Sequence, residues 1–199
     1  MAGSWKRLLG RSSGHVPPGY TEDEMARIKA QLDEFNRKLR QSEAELRADP
    51  YHPDPSDNPA IESALRAARP EAWHRLWSAV DEVRTEDAES QASWRFENPD
   101  GSLALPYADY SDAIRRMIES LHGVDAIVSF PWMKWDFKSV YPGGQGLDTA
   151  PVADAARVLT AVVRGERFCD GAILAALGDG TLLSALQRLR TWYEQQANR

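Results

Sequence analysis

Between residues 21 and 48 the apolar side chains recur in alternating steps of three and four. Met25, Ile28, Leu32, Phe35, Leu39 and Leu46 follow this rhythm, broken only at Ser42. That spacing lines one face of an α-helix. Thr21 and Glu24 stand three apart ahead of it, as in a capping box, and Asp49-Pro50 disfavours helical geometry at the other end. With Met25 at heptad position a, Glu24 and Lys38 fall at g, and Lys29 and Glu43 at e. A parallel partner would then meet opposite charges across the seam. The stripe therefore either packs on its own domain or serves as a partner or oligomer interface. Residues 50–59 carry four prolines and several turn-formers, and read as a hinge.

A second helical pattern starts at Pro70, with Trp73, Leu76, Trp77, Val80 and Val83 on one side. Two tryptophans one turn apart at this spacing point to a core before they point to a ligand shelf. Trp94-Arg95-Phe96-Glu97 alternates, Asn98-Pro99-Asp100-Gly101 supplies turn chemistry, and Ser102–Leu105 answers it, which predicts an antiparallel hairpin. Ser111 caps a helix with Ile114, Met117, Ile118 and Leu121 inward. The first half of the apolar run 124–135 is expected as a third strand. Val152, Ala155, Ala156, Leu159, Val162 and Val163 make an apolar face broad enough for a helix buried on more than one side. A short helix to Leu177, a break at Gly178-Asp179-Gly180, and a last helix capped by Thr181 complete the chain. The expected class is mainly α (α+β): a helical domain over 60–199 with a small hairpin, preceded by a separate amphipathic helix over 21–49.

Charge sharpens this picture. The chain has 199 residues and a formal net charge of -6. Residues 1–20 hold Lys6, Arg7 and Arg11 and no acid, ahead of a Ser/Gly/Pro-rich stretch, so they read as a flexible basic tail. Trp5, Leu8 and Leu9 make residues 5–11 fit for weak peripheral membrane contact at most. Residues 49–101 carry twelve acids against five bases, which would repel phosphates, so no duplex nucleic acid is expected as a partner. No apolar run reaches the roughly 18 residues of a membrane span. Cys169 is the single cysteine, and the four histidines lack metal-ligand spacing. Neither a metal nor a cofactor is therefore expected. No secretory h-region is visible, and the expected location is cytoplasmic.

Candidate chemistry gathers in the second half. Arg164 and Arg167 share a helical face, so their forks can converge on a carboxylate or phosphate. Tyr107, Tyr110, Trp132 and Trp135 are candidate walls for a ring, making a candidate ligand site of six residues. The plainer reading pairs the arginines with Glu166 or Asp170, puts Phe168 in the core, and gives Gly171 a backbone angle other residues avoid. Gly143-Gly144-Gln145-Gly146 lacks the lysine of a P-loop.

Leu105-Pro106-Tyr107-Ala108-Asp109-Tyr110 and Arg164-Gly165-Glu166-Arg167-Phe168-Cys169-Asp170-Gly171 carry a resemblance. Together they resemble a bacterial family known only as a domain of unknown function, with Pro-Tyr-x-x-Tyr after a hairpin and Arg-x-x-Arg-Phe-x-x-Gly closing a helix. The resemblance spans residues 92–195, short of the two earlier helices. It implies a fold unit and a site, and no activity. Two functional expectations follow. One is a non-enzymatic adaptor or regulatory protein, joined to a protein partner or to itself through residues 21–48, whose second part recognises a partner or small anion. The other is an enzyme acting on a nucleotide-like or other anionic small molecule through the Arg/Tyr pocket.

Overall fold

The computed structural model describes residues 50–97 and 103–197. Ahead of these it describes Thr21 and positions 26, 27, 29–31, 33, 34, 36–38 and 41, and at 96, 97 and 103–106 it describes the backbone alone. The chain divides into two units, Met1–Asp49 and Pro50–Arg199. In the first, the described positions from 26 to 41 are helical and exposed. Glu34 accepts hydrogen bonds from Arg37 Nε at 2.8 Å and Nη2 at 2.7 Å, which hold its carboxyl below the ordinary range. These are the polar positions between the apolar steps. The candidate interface itself (Met25, Ile28, Leu32, Phe35, Leu39 and Leu46) lies outside the described residues, as does the basic tail.

The second unit is mainly helical with one small hairpin. Its order is α1 (Asn58–Ala67), α2 (Pro70–Thr85), β1 (Ala92–Glu97), β2 (Leu103–Tyr110), α3 (Asp112–Gly123), α4 (Phe137–Val140), α5 (Val152–Gly165), α6 (Ala172–Gly178) and α7 (Thr181–Ala197). Among the described residues no helix is long and apolar enough to cross a membrane. Prolines enter α1 and α2 in their first turns, where the missing N–H costs nothing. Ser111 accepts the Ile114 amide and starts α3 as its sequence indicates.

α5 sits at the centre. Apart from Asp154, every residue from Val152 to Val162 is buried, and it packs against α7, α6 and α1. α2 lies along α3, with Trp73, Leu76, Val80 and Val83 meeting a core that includes Ile114, Met117 and Leu121. α5 also buries Arg157, 2% exposed. A buried guanidinium is tolerable only when its donors are satisfied. Here Nη1 donates to Asn58 Oδ1 at 2.7 Å and Asp154 Oδ1 at 2.8 Å, and Nη2 to the Asp54 carbonyl at 3.1 Å. The Tyr141 hydroxyl donates to the other Asp154 oxygen at 2.8 Å. The proline segment read as a hinge is thus fastened to α5: it forms a short 3-10 turn, Pro55–Asp57, in which Asp54 accepts the Ser56 amide at 2.8 Å.

Two local expectations are corrected. The run from Val124 forms no strand, because its amides bond to helices instead of a ladder. The Ala126 N–H goes to the Leu121 carbonyl, and the Val128 N–H to the Thr160 hydroxyl of α5 at 2.8 Å. Thr181 is the first residue of α7, not its side-chain cap. The Asp179 carboxylate accepts the Thr181 N–H, while the Thr181 hydroxyl is buried without a hydrogen-bond partner.

Candidate recognition surface

α5 ends at Gly165, and the chain turns back through residues 166–171 before α6. Phe168 and Cys169 donate their amides to the Gly165 carbonyl at 3.0 and 2.9 Å, which closes the turn. Gly171 then adopts a φ of +85°. A Cβ at Gly171 would lie 3.1–3.2 Å from the Trp94 ring, so glycine is required by both backbone angle and contact. Having no side chain, Gly171 cannot cap α6. Glu166 does so from the preceding turn: one oxygen accepts the Gly171 amide at 2.7 Å, the other the Ile173 amide at 2.9 Å. An anion beside these free N–H groups is well placed.

The hairpin delivers Trp94 to this turn. Its antiparallel register pairs Ala92 with Tyr110 and Trp94 with Ala108, and on the other face Ser93 with Asp109 and Arg95 with Tyr107. Trp94 and Tyr110 therefore share one face of the ribbon. Burial raises the Tyr110 phenol far above its usual range, with the Glu166 and Asp170 charges adding to it. Its hydroxyl is buried beside the Glu166 carboxylate, without a hydrogen bond of good geometry. Tyr107 points the other way, to the side where Asp109 bridges Arg95 and Arg115. Three residues apart on a strand means opposite faces, so the sheet separates the two tyrosines of the candidate pocket.

The two tryptophans of that pocket also part. Trp135 is only 6% exposed and packs in the core with Phe130, Phe137 and Tyr141, at centroid distances of 5.7, 5.9 and 6.3 Å. Trp132, half-buried in the 3-10 turn Trp132–Lys134, lies 5.8 Å from Phe168. Phe168 is not in the core: it is 74% exposed, and Met133 beside Trp132 is 69% exposed. Trp94 is 44% exposed. Arg164 is half-buried and Arg167 exposed. Among the described residues neither guanidinium has a hydrogen bond or ion pair, so the expected pairing with Glu166 or Asp170 is not made. Cys169 is an exposed free thiol.

The turn thus brings together Arg164, Arg167 and Trp132 from the sequence-predicted set, with Tyr110 beneath. Trp94, Met133 and Phe168 join them without having been anticipated. Two clefts lie away from this turn. A cleft of about 430 Å³ runs between α2 and α3 past Arg75, Glu82 and Arg116. Another, of about 560 Å³, is lined by residues 143–146 and by Ser184 and Arg188 of α7. Gly144 there has a φ of +79°, and a Cβ on it would fall 2.5 Å from Ser184 Cβ and Oγ, so this glycine run seats a loop on a helix. Among the described residues no group of three or more His, Cys, Asp or Glu side chains is gathered to hold a metal.

Residues 68–195 match the model of a family of unknown function, DUF6508. The chain belongs to that family. The DUF6508 match begins ahead of α2, so it takes in the helix bearing Trp73 and Trp77, which the motif-based span of 92–195 left out. Within it the two motifs meet: Tyr110 ends the first, Glu166 and Gly171 belong to the second, and they stand against one another at the start of α6. No curated protein and no solved structure matches the chain.

Proposed function

We propose that this DUF6508 protein is a non-enzymatic adaptor. It docks or self-associates through the helix at 21–48 and recognises a partner with the turn after α5. The observation that carries the second half is one turn that holds Arg164 and Arg167 outside any ion pair, the exposed Phe168 ring against half-buried Trp132, and exposed Trp94 against Gly171. Apolar surface of this kind, next to cations without counter-charges, is what a protein partner covers. For the first half, support comes from the heptad spacing and from the polar positions between its apolar steps, which are helical, exposed and ion-paired at Glu34–Arg37. The alternative, an enzyme with an Arg/Tyr pocket, has less behind it. Tyr107 lies across the sheet from Tyr110, and Trp135 is core.

The experiment is the solution mass of the full chain by light scattering, compared with a Leu32→Asp/Leu39→Asp variant. The expected result is a multimer for the parent and a monomer for the variant, with the melting transition of the second unit retained. A parent and variant of equal mass would remove the helix as an interface.

A further inference from the structure

Among the described residues four large apolar side chains are exposed, and three of them, Trp94, Met133 and Phe168, flank this one turn. Scattered exposed apolar residues need no explanation, but a contiguous group does. The Trp94 ring lies against Gly171 in this turn, and the Phe168 ring of the same turn meets Trp132, whose neighbour in the chain is Met133.

The charge is equally uneven. Arg66, Arg95, Arg115, Arg116, Arg157 and Arg190 are all in ion pairs with carboxylates. Arg164 and Arg167, like the exposed Arg69 and Arg75, are not, although Glu166 stands between them. The Glu166 oxygens instead accept the Gly171 and Ile173 amides at the start of α6. Lys134 adds a further cation on the neighbouring turn, and Asp170 is the acid left to answer them.

Resting on the adaptor reading, we infer that the partner bound by this face is an acidic peptide segment with an aromatic or branched aliphatic anchor. The anchor would cover Phe168 between Trp94 and Trp132, while its carboxylates take the Arg164 and Arg167 forks. A carboxylate matches a guanidinium with two parallel hydrogen bonds, and rigid aromatic rings give contact area at low entropic cost. A nucleic acid would bring the same stacking but a continuous phosphate charge. Its backbone calls for a stripe of cations, whereas this face offers Arg164, Arg167 and Lys134 beside Glu166 and Asp170, enough for a few carboxylates.

The test selects a displayed random-peptide library on the full-length protein, then measures the winning synthetic peptide by fluorescence anisotropy. Peptides rich in Asp and Glu around a Leu, Phe or Trp are expected. Phe168→Ala and the double variant Arg164→Glu/Arg167→Glu should each weaken binding by about tenfold or more, with the parental melting temperature kept. Replacing the peptide's acids by amides should weaken it similarly. Selected peptides without acidic excess, or binding unchanged in both variants, would overturn the assignment. So would oligothymidine, or phosphatidylserine-containing vesicles, binding the parent but not Phe168→Ala. Failure of this face leaves the light-scattering result untouched, so it is distinguishable from failure of the adaptor reading.

Discussion

Two regions of the second unit set tryptophans beside arginines, and they end in opposite states. Between α2 and α7, Trp73 stacks on Trp77 at 5.5 Å and on Tyr193 at 4.7 Å, with Trp192 at 6.3 Å. Arg190 lies over Trp77 and bonds Asp81 at 2.7 Å, and Arg66 lies over Trp192 while paired with Glu62. Apart from the Trp77 indole N–H, which is buried without a hydrogen-bond partner, these rings and cations find their complements inside the chain. At the turn after α5, Trp94, Trp132 and Phe168 keep ring surface in water, and Arg164 and Arg167 keep their forks empty. The residue types are the same. What differs is whether the chain itself supplies the complement, so the first region holds the fold and the second is free to hold something else.

The sharpest way to break this contrast is truncation. Trp73→Ala is expected to cost about 3–5 kcal/mol in denaturant unfolding, as large buried aromatics do. Phe168→Ala should change stability by less than about 0.5 kcal/mol. Comparable losses would mean that the exposed ring is structural after all. Arg157→Met comes next, because it leaves the Asp154 carboxylate without its buried partner. A loss of about 3 kcal/mol is expected, against almost none for Arg164→Ala or Arg167→Ala. A smaller step is Gly171→Ala, which combines a positive φ with a collision against Trp94. It should destabilise by about 1–3 kcal/mol and alter Trp fluorescence, whereas Gly178→Ala, with open space around it, should not.

The smallest effect concerns Asp81. Hydrogen bonds from Arg190 hold its carboxyl below the ordinary range. A lowered folded value means that the stabilisation is complete above the unfolded value of about 3.9. It is lost as pH falls through the lower folded value. Asp81 is half exposed, so solvent screening limits the contribution to under about 1 kcal/mol. The parent should therefore lose slightly more stability than Asp81→Asn on acidification below about pH 4. Parallel curves would show that the cluster between α2 and α7 does not depend on its ion pair.

Much of the fold was legible because helices announce themselves locally. The stripe of Trp73, Leu76, Trp77, Val80 and Val83 required α2, and the alternation at 94–97 with its turn required the hairpin. The breadth of the apolar face at 152–163 required a helix covered on several sides, as α5 is. The segment 124–130 misled because an apolar run carries no record of where its amides will bond. The candidate site was less legible: the local pattern puts the second strand at Ser102–Leu105, and its run through Pro106 to Tyr110 is what sets Tyr107 and Tyr110 on opposite faces. Phe168 had no local signal. An aromatic after a helix end lies inside or outside according to how the next segment turns.

Helix positions, the hairpin and the central α5 follow from the sequence by itself, since periodicity, capping and turn residues act over a few positions. Only the tertiary structure decided which arginines keep an empty fork and which rings stay wet. Glu166 could have paired with either neighbouring arginine, and bonds the α6 amides because Gly171 turns the chain back beneath Trp94. That choice depends on contacts between residues more than seventy positions apart, and no local pattern encodes it.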